Sequence, residues 1–196
     1  MIRNLNKTLQ DKRANKQGAE PEVIFAGKIF DLVRDRFDYN GEQLTREYLR
    51  HPGAVAVLAI NAKNQVLTVK QYRRPVDSYL LELPAGLRDA TDESTLDTAK
   101  RELLEETDYV AENWQHLHTF LTSPGCNDEV IEIFLATGLT KIEHDYDRTA
   151  EERDMQVDWH DLTDVVDAVL NSKAQSPTLT VGILHYLAIQ GSKQNG

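Results

Sequence analysis

GLRDATDESTLDTAKRELLEETDY, residues 86–109, is the stretch whose spacing decides the fold of this 196-residue chain. Leu96, Ala99 and Leu103 recur at three- and four-residue intervals between Ser94 and Thr107. That period predicts a helix with one apolar face, and Ser94 with Asp97 three residues later suits the cap of its first turn. At 3.6 residues per turn, Glu102, Glu105 and Glu106 share an arc of about 100° beside the apolar face. Like charges at these spacings destabilise a helix by roughly 0.2–0.5 kcal/mol per pair, and only Lys100 and Arg101 lie close enough in sequence to offset them. A solvated acidic face is one interpretation of the triplet. A hard divalent cation is the other, because Mg²⁺ takes carboxylate oxygens together with water and substrate phosphate.

Strands precede the helix. Ile24 to Val33 is strand-like, and Tyr39, Asn40 and Gly41 give a turn into a second strand. Val55 to Ile60, a turn at residues 61–64, and Val66 to Val69 form an expected hairpin of buried strands. A further strand, Tyr79 to Leu83, stops at Pro84, Ala85 and Gly86. After the helix come strands near Trp114 to Leu121, Glu129 to Ala136 and Met155 to Trp159, with a polar stretch from Lys141 to Arg153. Amphipathic helices at Leu162 to Leu170 and Leu179 to Ile189 close the chain. The order is that of an α/β (α+β) sandwich around a mixed sheet. Residues 1–20 read as a mobile arm, 21–50 as a small β subdomain, 51–190 as the main domain and 191–196 as a flexible tail.

A formal net charge of -10 argues against a nucleic-acid or anionic-membrane partner, since such surfaces need a basic footprint. No apolar run approaches the roughly 20 residues of a membrane span, and the amino terminus lacks the apolar stretch of a secretory signal. A cytoplasmic location is expected. The one cysteine, Cys126, rules out an internal disulfide and a cysteine-rich metal site. An acidic enzyme acting on an anionic substrate must recruit metal or concentrate its few arginines.

The segment Glu93, seven residues, Arg101, Glu102, Leu103, Leu104, Glu105, Glu106 and Tyr109 resembles the Nudix box, GX5EX7REUXEEXGU, in register. Six residues rather than five separate Gly86 from Glu93, so Asp92 is a competing first acid; the insertion falls in the loop and leaves the helical spacing intact. The glycine expected after Thr107 is Asp108, at a position expected to be left-handed. Gln71, Tyr72, Arg73, then Leu81 to Ala85, and Pro124 fifteen residues beyond Tyr109, look like the ADP-ribose pyrophosphatase branch. Gly27, Lys28, Arg46, Glu47 and His51 to Val55 extend that similarity over residues 22–190.

The resemblance implies a Nudix α/β/α sandwich, with a small antiparallel amino-terminal sheet exchanged across a homodimer. It implies Mg²⁺, with Mn²⁺ as the alternative ion, and a nucleoside diphosphate sugar as substrate, ADP-ribose first. Glu102 and Glu106 would bind metal directly, and the Ala85 carbonyl would complete the site. Glu105, counted also among the catalytic groups, would hold a second ion or its water. Gly86, Glu93 and Arg101 would support the box. The general base would come from Glu151 or Glu152 in the polar stretch. Arg73 would take phosphate, Glu82 the ribose hydroxyls or metal, and Arg46 and Glu47 the nucleobase and ribose, with Pro124 lining the site. Two alternatives stay open: another nucleotide sugar such as GDP-mannose, and a module of this fold that senses its ligand without turnover. The three retained glutamates argue against the second.

Overall fold

The computed structural model describes residues 9–14, 18–90, 92–143 and 154–194. In chain order the strands before the box are β1 (Glu22–Ala26), β2 (Asp31–Tyr39), β3 (Glu42–Arg50), β4 (Ala54–Ala59), β5 (Gln65–Arg73), β6 (Ser78–Glu82) and β7 (Ala85–Leu87). Helix α1 (Thr95–Thr107) follows, then β8 (Tyr109–Leu121), β9 (Val130–Lys141), β10 (Gln156–Asp161), α2 (Leu162–Leu170) and α3 (Pro177–Gln194).

Three sheets result: β1-β2-β3, β10-β5-β6 and the mixed β7-β4-β9-β8, in which β4 and β9 run parallel. The β2–β3 turn places Asn40 and Gly41 at φ 56° and 89°, the left-handed pair that matches strand twist in a two-residue hairpin. β4 is buried on both faces. Val55 and Val57 meet Leu67, Ala99, Leu103 and Phe134 on the α1 side. Ala56 and Leu58 meet Leu83, Ile133, Val165, Leu179 and Ile183 on the side of α2 and α3. That two-sided burial explains an apolar run without alternation, and each buried valine or leucine in it contributes about 1.5–3 kcal/mol. Helices thus cover both faces of the central sheet around β4, as the α/β/α reading requires.

Three expectations are corrected. β4 and β5 do not form one hairpin: beyond the Ile60–Val66 bridge they diverge into separate sheets. Residues 85–87, read as a strand stop, form β7, paired antiparallel with β4. The tail does not begin at 191, because α3 continues through Gln194. Among the described residues no helix is long and apolar enough to cross a membrane.

Candidate active site

Helix α1 starts where its sequence says it should. The Ser94 hydroxyl accepts the Asp97 amide at 3.1 Å, and Leu103 and Ala99 are fully buried under β4. The helix ends at Asp108, whose φ of 62° and ψ of 22° are left-handed, and whose amide reaches the Leu104 carbonyl at 2.9 Å. Anchoring at both ends fixes which way the glutamates face.

They face β7. Glu106 is buried, and its Oε2 accepts the Ala85 amide at 2.9 Å. The Glu102 carboxyl fills the space beside Gly86, where any Cβ would overlap it. Glycine at 86 is therefore a requirement of the glutamate, beyond any demand of the loop. Burial pushes the Glu102 carboxyl above the usual carboxylate range, with the nearby Arg101 charge acting against that rise.

Arg101 ties the box together. It donates to Glu102 at 2.6 Å, to Glu105 at 3.3 Å and to Glu93 at 3.1 Å. Its hydrogen bonds to Glu93 hold that carboxyl below its ordinary range, and in turn raise the guanidinium. Thr98 adds a hydroxyl bond to Glu93 at 3.0 Å. Asp92, the competing first acid, is exposed. The structure thus pairs Glu93 with Arg101 despite the extra loop residue.

A second polar group lies on β5 and β6. Arg73 donates to Glu82 from Nε at 3.0 Å and from Nη2 at 2.6 Å, and Gln71 reaches the same carboxylate at 3.4 Å. Glu82 is buried, so this fork is a ready-made orientation for the arginine. Two donors of the Arg73 guanidinium are thereby committed within the chain. Arg74, its neighbour, sits in an exposed turn against Tyr72 and Asp77.

The remaining candidates stand elsewhere. Arg46 and Glu47 are on β3, in a sheet no strand of which pairs with the other two sheets. Glu47 accepts Arg34 through Nε at 2.9 Å and Nη2 at 2.7 Å, while Arg46 is exposed. Pro124 is exposed in the turn between β8 and β9. Glu151 and Glu152 lie outside the described residues.

Among the described residues no three His, Cys, Asp or Glu side chains already converge as a metal cage. Arg101 holds Glu102 and Glu105 instead. Magnesium does not need such a cage: it keeps several waters and takes one or two carboxylates with substrate phosphate. Glu102 and Glu106, both set against the Ala85–Gly86 backbone, supply that donor set, and the burial strain on Glu102 is what a cation would relieve. The residues fit the ion.

A Nudix domain profile matches residues 49–179. A protein from Bacillus methanolicus named methanol dehydrogenase activator is 39% identical over 171 residues, 86% of this chain and 90% of its own. A Bacillus subtilis protein named ADP-ribose pyrophosphatase is 42% identical over 138 residues, covering 70% of this chain and 71% of its own. The crystal structure of an ADP compounds hydrolase superposes with a TM-score of 0.75 at 17% identity, over 94% of this chain and 98% of that one, and so shares the fold.

Proposed function

This chain belongs to the Nudix family, and we propose that it hydrolyses the pyrophosphate of a nucleoside diphosphate sugar, ADP-ribose first, to AMP and ribose 5-phosphate. The observation that carries the proposal is the seating of Glu106 on the Ala85 amide with Glu102 packed on Gly86. Glu102, Glu106 and the Ala85 carbonyl would hold Mg²⁺, with Mn²⁺ the alternative ion; Glu105 would serve a second ion or its water. When bound, the ion neutralises the phosphates and makes its water more acidic.

The chain's own groups do the rest. Arg101 restrains Glu102 and Glu105, and Glu93 restrains Arg101. Glu82 orients Arg73 so that the guanidinium charge faces an incoming phosphate. Glu151 or Glu152 takes the proton of the water whose oxygen joins phosphorus as the bridging P–O bond breaks; loss of such a base typically costs about 10²–10⁴ in rate. Arg46 and Glu47 hold the nucleoside, and Pro124 lines its pocket.

A homodimer belongs to this reading. Val23, Ile24, Phe25, Ile29 and Phe30 are 40–63% exposed on and beside β1, an apolar surface that a three-stranded sheet cannot bury alone. A second copy covers it. A cytoplasmic location belongs to the same reading, and the net charge of -10 speaks against a nucleic-acid or anionic-membrane partner.

Wild-type protein with ADP-ribose and Mg²⁺, against a panel including GDP-mannose, tests the proposal. AMP and ribose 5-phosphate in equal amounts are expected; turnover confined to another sugar would move the substrate, and none at all would contradict catalysis. The relative named as an activator favours a second reading, in which the chain raises the rate of an alcohol dehydrogenase. Adding it to methanol dehydrogenase with Mg²⁺ and finding the rate unchanged would dispose of that reading.

A further inference from the structure

The first sheet joins the rest of the chain through the end of β3 and the turn that follows it, residues 49–53, and this stretch is fastened from two sides. On one side is the turn that contains Pro124. The Leu49 amide donates to the Cys126 carbonyl at 2.9 Å, the Asp128 amide donates to the Leu49 carbonyl at 3.2 Å, and Leu49 and Asn127 form an isolated parallel bridge. The His51 amide then donates to Asp128 Oδ1 at 2.8 Å. His51 Nδ1 lies 3.5 Å from Glu129, which the Thr122 hydroxyl holds at 2.8 Å.

On the other side is the strand of the candidate metal site. The Gly53 carbonyl accepts the Arg88 amide at 3.1 Å, one residue beyond β7, and the Gly53 amide donates to His51 Nδ1 at 3.0 Å. Gly53 has φ +89°, and a Cβ there would stand 3.1 Å from the Val130 carbonyl and 3.5 Å from the Arg88 side chain. Arg88 pairs in turn with Glu132 at 3.6 Å. One short turn is thus bonded both to the Pro124 loop and to the strand that presents Ala85 to Glu106.

We propose that Asp128, acting through the His51 backbone, is a positioning residue: it sets where the sheet bearing Arg46 and Glu47 stands relative to β7, and so how the nucleoside end of the substrate is held. This rests on the hydrolase reading above. Asp128 is exposed and lies outside the box, so its bond to His51 has no part in the carboxylate geometry of α1. Loosening the turn shifts the sheet that recognises substrate and leaves the reacting groups in place, which weakens ground-state and transition-state binding alike.

Asp128→Ala and Asp128→Asn separate this role from a merely structural one, because asparagine keeps an oxygen acceptor for the His51 amide. At equal folded fraction by circular dichroism, Asp128→Ala should raise the KM for ADP-ribose about tenfold, the equivalent of one lost hydrogen bond, with kcat within about twofold. Amide exchange at Leu49 and His51 should accelerate in the same variant, and Asp128→Asn should restore both readings. Wild-type exchange rates in Asp128→Ala, faster exchange with unchanged KM, or an asparagine variant as impaired as alanine would each overturn the proposal. Absence of hydrolysis by wild type would instead overturn the hydrolase reading, and the substrate-positioning role with it.

Discussion

Helix α1 and strand β3 make a telling pair. On α1 the polar groups answer one another within the chain: Arg101 meets Glu93, Glu102 and Glu105, and Glu106 meets Ala85. On β3, Arg46 is exposed and the strand belongs to a sheet with an uncovered apolar surface. In the proposed reading the chemistry would be assembled inside one chain by a locally capped helix lying on β4. Substrate recognition would be hung on a separate sheet and would need something brought to it. The first half should therefore be brittle to small geometric changes, and the second tolerant of them but sensitive to assembly.

The largest effect that could break this contrast is metal removal. Chelation should abolish turnover while leaving the far-ultraviolet circular dichroism unchanged, and added Mg²⁺ should restore activity; persistent turnover in chelator would take the reaction away from α1. Next, Glu151→Ala combined with Glu152→Ala should lower kcat by about 10²–10⁴. A loss under tenfold would remove the polar stretch from the mechanism. Gly86→Ala sharpens the contrast within the box itself, since the new Cβ must displace the Glu102 carboxyl. A displacement of about 1 Å near reacting groups costs roughly 10²-fold in kcat, whereas the melting temperature should move little; wild-type kinetics would mean that Glu102 need not rest on Gly86. The smallest effect is conformational. Asp108 sits at φ 62°, so Asp108→Gly should raise the unfolding free energy by about 1 kcal/mol or less, read from urea titration. A fall would show that the aspartate is suited to that turn.

How much of this was legible beforehand follows the same division. The helix could be read because capping, period and charge pattern are local: Ser94, Leu103 and Asp108 all stand where spacing put them. The resemblance to the box carried Ala85 and Gly86, though β7 itself was hidden, since three residues that begin inside a Pro-Ala-Gly break carry no period. The split of β4 from β5 was equally hidden. Two adjacent apolar runs with a tight turn read as a hairpin, and only the long-range pairing of β4 with β9, and of β5 with β10, separates them. The Arg73–Glu82 fork is a cross-strand relation that neither residue announces alone. The fastening of His51 by Asp128 joins residues 77 apart in sequence, and its one local sign was Gly53 before a buried strand.

The claim at the centre is that the Glu106 carboxylate on β7 serves catalysis and not merely the helix. Glu106→Gln tests it most directly, because glutamine keeps an oxygen to accept the Ala85 amide and removes the charge a cation needs. With ADP-ribose and saturating Mg²⁺, at equal folded fraction, the variant should lose about 10²–10³-fold in kcat while its melting temperature without metal stays near wild type. A variant with wild-type kcat would contradict the account, and would leave Glu106 as an anchor of α1 on β7 alone.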